Sequence, residues 1–131
     1  MHDWLSVHSP WVHHVESGAA GIEASVRLAF RVFELDGSLM QSPVEVFSEF
    51  SRKFSFPDYF GENWAALEDC LYDLNWLPAA DGYLLVVRDW GMVLNNSPSA
   101  LPVLVRILGD AGYSWSQYPG GGKAFNSLLV A

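Results

Sequence analysis

The chain has 131 residues, half of them hydrophobic and 15% aromatic, with a formal net charge of −8 at pH 7. That length fits one domain with a real core, and that composition excludes a disordered chain. The acidity argues against nucleic acid as a direct partner, since phosphate binding needs lysine and arginine, and points to a basic protein partner met by fast, salt-sensitive association.

Residues 1–20 are the least readable. Trp4, Leu5, Trp11 and Val12 are apolar around a Ser9-Pro10 turn, and 11–15 is a candidate short strand. His2, His8, His13 and His14 have no cysteine or Glu-x-x-His partner nearby, and adjacent histidines face opposite sides of a strand. They read as polar surface, and no metal is expected. Gly18 and Gly21 bracket a break, and Ile22 to Leu28 fits a short helix or a strand. Ala29 to Leu35, rich in aromatic and branched residues, reads as a strand ended by the turn Asp36-Gly37-Ser38. Ser42-Pro43-Val44-Glu45 opens a helix, with serine as cap, proline in the first turn and glutamate in the capping-box position. Its apolar stripe is expected at Val44, Phe47, Phe50 and Phe54.

The next stretch, Phe56 to Leu74, reads as a tight loop running into an amphipathic helix. Pro57 keeps Phe56 out of the α conformation. Gly61 is expected to take a positive φ before the helix, and Asn63 to cap it. Trp64, Leu67, Leu71 and Leu74 recur at helical spacing and make one apolar face. Asp69 falls nearly opposite the centre of that face and Asp73 lies one turn on, with Glu62 on the same side if the turn is compact. From Phe54 to Val87 there is no lysine or arginine, so no cation one helical turn away offsets these carboxylates. Acid helix faces are usually just solvated. Here the uncompensated charge sits beside Tyr59 and Phe60 on a glycine-bearing loop, as a surface for a basic, partly apolar partner would.

Leu77 to Gly82 is a connector, and Tyr83 to Arg88 is an apolar run of strand length. Asn95-Asn96-Ser97-Pro98 starts a helix over Ser99 to Gly109, with Leu101, Leu104, Val105 and Leu108 on one face and Gly109 or Gly112 as its end. Tyr113 to Lys123 reads as a flexible loop that leaves Trp115 open to solvent. Its Gly-Gly-Gly-Lys run lacks the earlier glycine and the following Ser/Thr of a phosphate loop, and it leads into a strand, so no nucleotide site is expected. Phe125 to Val130 is that last strand. The order strand, helix, helix, strand, helix, strand makes an α/β layer fold with a small parallel sheet and right-handed crossovers.

The run Pro57-Asp58-Tyr59-Phe60-Gly61-Glu62-Asn63-Trp64-Ala65-Ala66-Leu67-Glu68-Asp69-Cys70-Leu71 resembles the barstar family of ribonuclease inhibitors. The order of elements extends the resemblance over about the last hundred residues. It implies a three-stranded parallel sheet packed against helices, with residues 29–131 as the barstar-like domain and 1–28 as an N-terminal extension whose fold stays open. It also implies an immunity protein or antitoxin whose loop and second helix plug the active site of a microbial ribonuclease or toxin nuclease. Asp69 matches the family's phosphate-mimicking aspartate and Tyr59 the first aromatic of its pair. The partner-binding set expected is Tyr59, Phe60, Gly61, Glu62, Asn63, Ala66, Asp69 and Asp73. Ala65 departs from the pattern, standing where the family usually has an aspartate. Asp73 is placed to replace part of that charge, and the departure bears on the identity of the target: a different nuclease or toxin domain is expected, not necessarily a barnase-type enzyme.

Two other classes compete. A hydrolase with Glu62 and Asp69 as paired carboxylates would need a cleft, and an outward helix face is the wrong place for one. Cys70 lies beside the apolar stripe without a histidine near it and reads as a packed residue. No enzyme activity and no cofactor are therefore expected. An acidic interaction domain with a non-nuclease basic partner is the other alternative, but a scaffold does not need Tyr59, Gly61 and Asp69 in this arrangement. The single cysteine excludes an internal disulfide framework and fits a reducing compartment. No signal-like start and no apolar run near the ~18 residues of a membrane helix is visible, so a cytoplasmic protein is expected. The oligomeric state is not readable.

Overall fold

The computed structural model describes residues 4–16 and 30–131. The expected reading of Ile22 to Leu28 and the boundary at 28/29 lie outside the described residues. The strands are β1 (Val12–Val15), β2 (Phe30–Asp36), β3 (Gly82–Arg88) and β4 (Ala124–Val130). The helices are α1 (Pro43–Phe54), α2 (Trp64–Asp73) and α3 (Leu101–Ser116). The strands form one sheet in the order β1-β4-β3-β2, and every pair is parallel.

The α/β architecture and the order of elements from β2 onward follow the sequence reading, but among the described residues the sheet has four strands and not three. The fourth is β1, which extends the β4 edge. Its ladder continues at both ends, with Ser127 N–H donating to Trp11 O at 2.8 Å and Ala131 N–H to Val15 O at 2.9 Å. A buried side chain adds to this. Asn126 donates both amide hydrogens, to Trp4 O and Ser6 O at 2.9 Å each. Its Oδ1 is then left to accept from His13 Nε2 at 3.0 Å, which makes Nε2 the protonated nitrogen.

The helix-facing core holds Phe33 and Leu35 of β2, Leu85 and Val87 of β3, and Phe125 and Leu129 of β4, under Phe50, Phe54, Leu67, Leu71, Leu104 and Leu108. A second cluster, Leu84, Val86, Leu128 and Val130, lies on the opposite face against Trp4, Val15 and Val32. Burial on both faces is why β3 reads as a continuous apolar run, whereas an exposed face would have made it alternate; β4 is buried on both faces too, with Asn126 and Ser127 as buried polar residues.

Helix α1 starts as its sequence dictates. Ser42 Oγ accepts from Glu45 N–H at 3.4 Å, and Glu45 Oε1 reaches back to Gln41 N–H at 2.7 Å. Its stripe is shifted from the expected one. Val44 is 64% exposed and Val46 is buried with Phe47, Phe50 and Phe54. Glu49 is buried as well, and it is satisfied by Asp36 N–H at 2.9 Å and by the Arg52 guanidinium.

Helix α3 departs most from expectation. It begins at Leu101 after a 3-10 turn over Pro98–Ala100 and runs to Ser116, through both glycines that were read as its end. Gly112 is there for close approach: a Cβ on it would lie 2.3 Å from Trp11 Cβ. Trp115 is therefore not an exposed loop residue. It is 6% exposed, in the last turn of the helix, and its indole N–H donates to Leu71 O at 2.8 Å. The loop that follows is tied back by Gly122 N–H to Tyr118 O at 2.8 Å and Lys123 N–H to Trp115 O at 2.9 Å. Gly120, Gly121 and Gly122 all take positive φ there, a conformation open to glycine at little cost.

Candidate functional site

The loop before α2 is nailed down by aromatic rings. Phe56 is buried and lies 4.8 Å from the Phe60 ring and 5.8 Å from that of Trp76. Phe60 also meets Phe47 of α1 at 6.3 Å, and Phe47 meets Trp64 edge-on at 4.9 Å. Phe60 N–H closes the turn on Pro57 O at 3.0 Å. So Phe60 is half-buried as an anchor, while Tyr59 is 73% exposed.

The turn into α2 is built by Asn63. Its Oδ1 accepts from Ala66 N–H at 2.8 Å, the cap read from the sequence, and its Nδ2 donates to Gly61 O at 3.1 Å. The positive φ is not at Gly61, as expected, but at Glu62, with φ 49°. The Asn63 side chain bridges Gly61 to Ala66, so the chain reverses at the residue between glycine and cap. A non-glycine residue there costs roughly 1–2 kcal/mol, offset by the cap of about 1 kcal/mol and the packed rings. Gly61 packs closely under the cap: a Cβ on it would sit 3.1 Å from Asn63 Nδ2, so the bridging amide would have to shift by a few tenths of an ångström.

Helix α2 buries Leu67, Cys70 and Leu71, and ends on Leu74 in the left-handed conformation, φ 53°. Ala65, Asp69 and Asp73 are exposed and Ala66 is half-buried. Among the described residues no cation lies within ion-pairing distance of Asp69 or Asp73. Burial, and then the charges of Asp69 and Asp73, raise the Cys70 thiol above its ordinary value, which keeps it a protonated core residue.

Glu68 differs from its neighbours. Its Oε2 accepts from the Tyr72 hydroxyl at 2.7 Å and from Arg106 Nη1 of α3 at 3.2 Å, while the same Arg106 nitrogen reaches Asp110 at 2.8 Å. Burial, and then the Glu68 hydrogen bond, push the Tyr72 hydroxyl well above the ordinary tyrosine range. The sequence reading missed this arrangement, since Arg106 lies 38 residues from Glu68 and no local spacing signals the contact. The free charge of α2 is thereby concentrated on Asp69 and Asp73.

Glu62 is exposed and lines a hollow of about 290 Å³ with Phe47, Phe56 and Phe60, and Asp69 is not among its walls. Asp73 lines a different hollow at the far end of α2. Glu62 and Asp73 thus line different hollows, and Asp69, exposed at mid-helix, lines neither. Among the described residues no three potential ligands gather to hold a metal ion. None of the described helices is long and apolar enough to cross a membrane.

A family model described as Barstar (barnase inhibitor) matches residues 30–126, from the start of β2 into the first residues of β4. Strand β1 lies outside the match. No curated protein matches the chain significantly.

Proposed function

The chain belongs to the barstar family, and from that premise we propose that it inhibits a microbial ribonuclease or related toxin nuclease by seating the 57–63 loop and the exposed face of α2 in the enzyme's active site. The family's members are inhibitors of barnase-type ribonucleases, not enzymes. The observation that carries the reading for this chain is Asp69: an exposed carboxylate at mid-helix, opposite Leu67 and Leu71, with no cation of its own among the described residues.

The chemistry follows from what a ribonuclease must do. Its site holds a phosphate among cationic side chains. A carboxylate presented on a rigid helix offers the same charge without a bond to cleave. Buried in the complex, Asp69 needs a cation, and the nuclease supplies it. Tyr59, held outward by the Phe56 and Phe60 anchors, adds a rigid aromatic contact at low entropic cost. Ala65 contributes no charge, and Glu68 is engaged by Arg106 and Tyr72. Two free helix carboxylates remain, Asp69 and Asp73, and their spacing along α2 sets which nuclease, not necessarily a barnase-type one, offers matching cations.

The test is a titration of the protein into a panel of microbial ribonucleases and toxin nuclease domains, following RNA cleavage at low and moderate salt. The expected result is stoichiometric inhibition of one member, weakened by salt and relieved by a competing mononucleotide. Binding without competition against the mononucleotide would support a basic partner held away from an active site.

A further inference from the structure

Where α2 and α3 end side by side, they leave a hollow of about 550 Å³, bounded on the third side by the loop that leads into β4. Trp115 and Tyr83 are among its lining residues and are both buried. Tyr72 and Tyr118 line it as exposed walls, 37% and 44% accessible. Among the described residues Asp73 is the one acid and Lys123 the one base that line it. Both helices point their C-terminal ends here, and neither carries a basic residue in its last turn. Several of the end carbonyls are already bonded, Leu71 O by the Trp115 indole and Trp115 O by Lys123 N–H, but the aligned peptide dipoles of both helices still bring partial negative charge here, which favours a cation. The protein already uses it so: Lys123 Nζ rests 4.5 Å from the centre of the Tyr118 ring.

We propose that this hollow receives an arginine side chain of the nuclease, its stem against Tyr72 and Tyr118 and its guanidinium toward Asp73. The inference rests on the reading that α2 faces the partner, because Asp73 lies one turn beyond Asp69 on the same exposed side. Arginine fits better than an acidic or purely apolar group. Its planar cation stacks on aromatic faces and pairs with a carboxylate at once. Lys123 is the competing internal cation, placed on the Tyr118 face that the guest would share.

The hollow is tested apart from any nuclease. The isotope-labelled full chain is titrated with N-acetyl-arginine amide and, as control, its neutral norleucine counterpart, with chemical shifts as the readout. Saturable shifts centred on Tyr72, Asp73, Tyr118 and Lys123 are expected with the arginine probe alone. Asp73→Asn should weaken the probe about tenfold, and Lys123→Met should strengthen it about threefold by freeing the Tyr118 face. No saturable shift at these residues, an equal response to norleucine, or indifference to both substitutions would overturn the proposal. Against an inhibited nuclease, Asp73→Asn should weaken inhibition about tenfold or more. Loss of inhibition in Asp69→Ala with none in Asp73→Asn would remove the hollow from the interface and leave the inhibitor reading standing. A probe that binds the hollow while no nuclease is inhibited would locate the failure in the inhibitor reading instead.

Discussion

Two glycines of α3, three residues apart, are expected to respond to alanine with opposite signs. A Cβ at Gly109 meets nothing within 4 Å, whereas at Gly112 it lies 2.3 Å from Trp11 Cβ and 2.4 Å from Trp11 Cγ. Replacing a mid-helix glycine by alanine stabilises by about 1 kcal/mol through backbone entropy alone. Gly109→Ala should show that gain. Gly112→Ala has the same gain, set against an overlap with atoms at the root of a side chain, which cannot rotate away. Nor does the Trp11 backbone move freely, because its carbonyl accepts Ser127 N–H at 2.8 Å at the start of the β1–β4 ladder. Overpacking of this kind costs roughly 1–3 kcal/mol. With more than an ångström of overlap the upper part of that range applies, so a net loss of about 1–2 kcal/mol is expected. Urea unfolding followed by tryptophan fluorescence measures both. The sign for Gly112 should reverse in a Trp11→Gly background, where the obstructing atoms are gone. Trp11→Ala is not enough, because alanine keeps the Cβ. If Gly112→Ala stabilised as Gly109→Ala does, β1 and the segment before it would not be docked on α3 as described.

Three further outcomes follow from the same contacts. Asn63→Ala removes the cap of α2 and its link to Gly61, and should cost about 1 kcal/mol in urea unfolding. An unchanged midpoint would mean that the turn is held by the rings alone. Trp115→Phe keeps the packing but leaves the buried Leu71 carbonyl without its indole donor, at a cost of about 1–3 kcal/mol, and no loss would refute that bond. Asp36 gives a pH dependence. The Ser38 hydroxyl at 2.6 Å, and then the Ser38 amide at 2.9 Å, hold its carboxyl below the ordinary value of 3.8. A lowered folded-state pKa contributes stability that is present above the ordinary value and lost as pH falls through the lowered one. The advantage of wild type over Asp36→Asn should therefore shrink below about pH 4. A difference constant from pH 7 to pH 2 would contradict it.

Local signals carried much of this structure. Ser42 with Glu45, and Asn63 after Gly61, are short-range devices whose partners lie within four residues, and both caps form as read. The apolar run at 83–88 is central in the sheet because it is buried on both faces. The misreadings in α3 share one cause, a distant partner that decided the outcome, whereas the one at Gly61 is local. Gly112 looked like a helix end because glycine usually is one, and nothing nearby in the chain announces Trp11. Trp115 looked exposed because its donor reaches Leu71, 44 residues away. The positive φ was assigned to Gly61 by propensity, yet the Asn63 bridge placed it on Glu62. Strand β1 was a candidate only, since four residues pair as a strand when a β4 edge is there to accept them. At the site, the outward placement of Asp69 followed from periodicity, while the Arg106 contact that sets Glu68 apart did not.

The central claim is that Asp69 stands in for a phosphate, and the most direct measurement compares two substitutions that remove the same charge from different faces. Asp69→Ala alters the exposed side of α2; Glu34→Ala alters an exposed residue of β2 paired with Arg88 at 3.1 Å. Each is titrated into the inhibited nuclease with RNA cleavage as the readout, alongside thermal unfolding of the free inhibitor. Asp69→Ala should weaken inhibition about a hundredfold or more, since leaving a buried cation unpaired costs roughly 3–5 kcal/mol. Glu34→Ala should change it little, and both variants should melt near wild type. Equal losses from the two substitutions would reduce the effect to net charge and contradict the account.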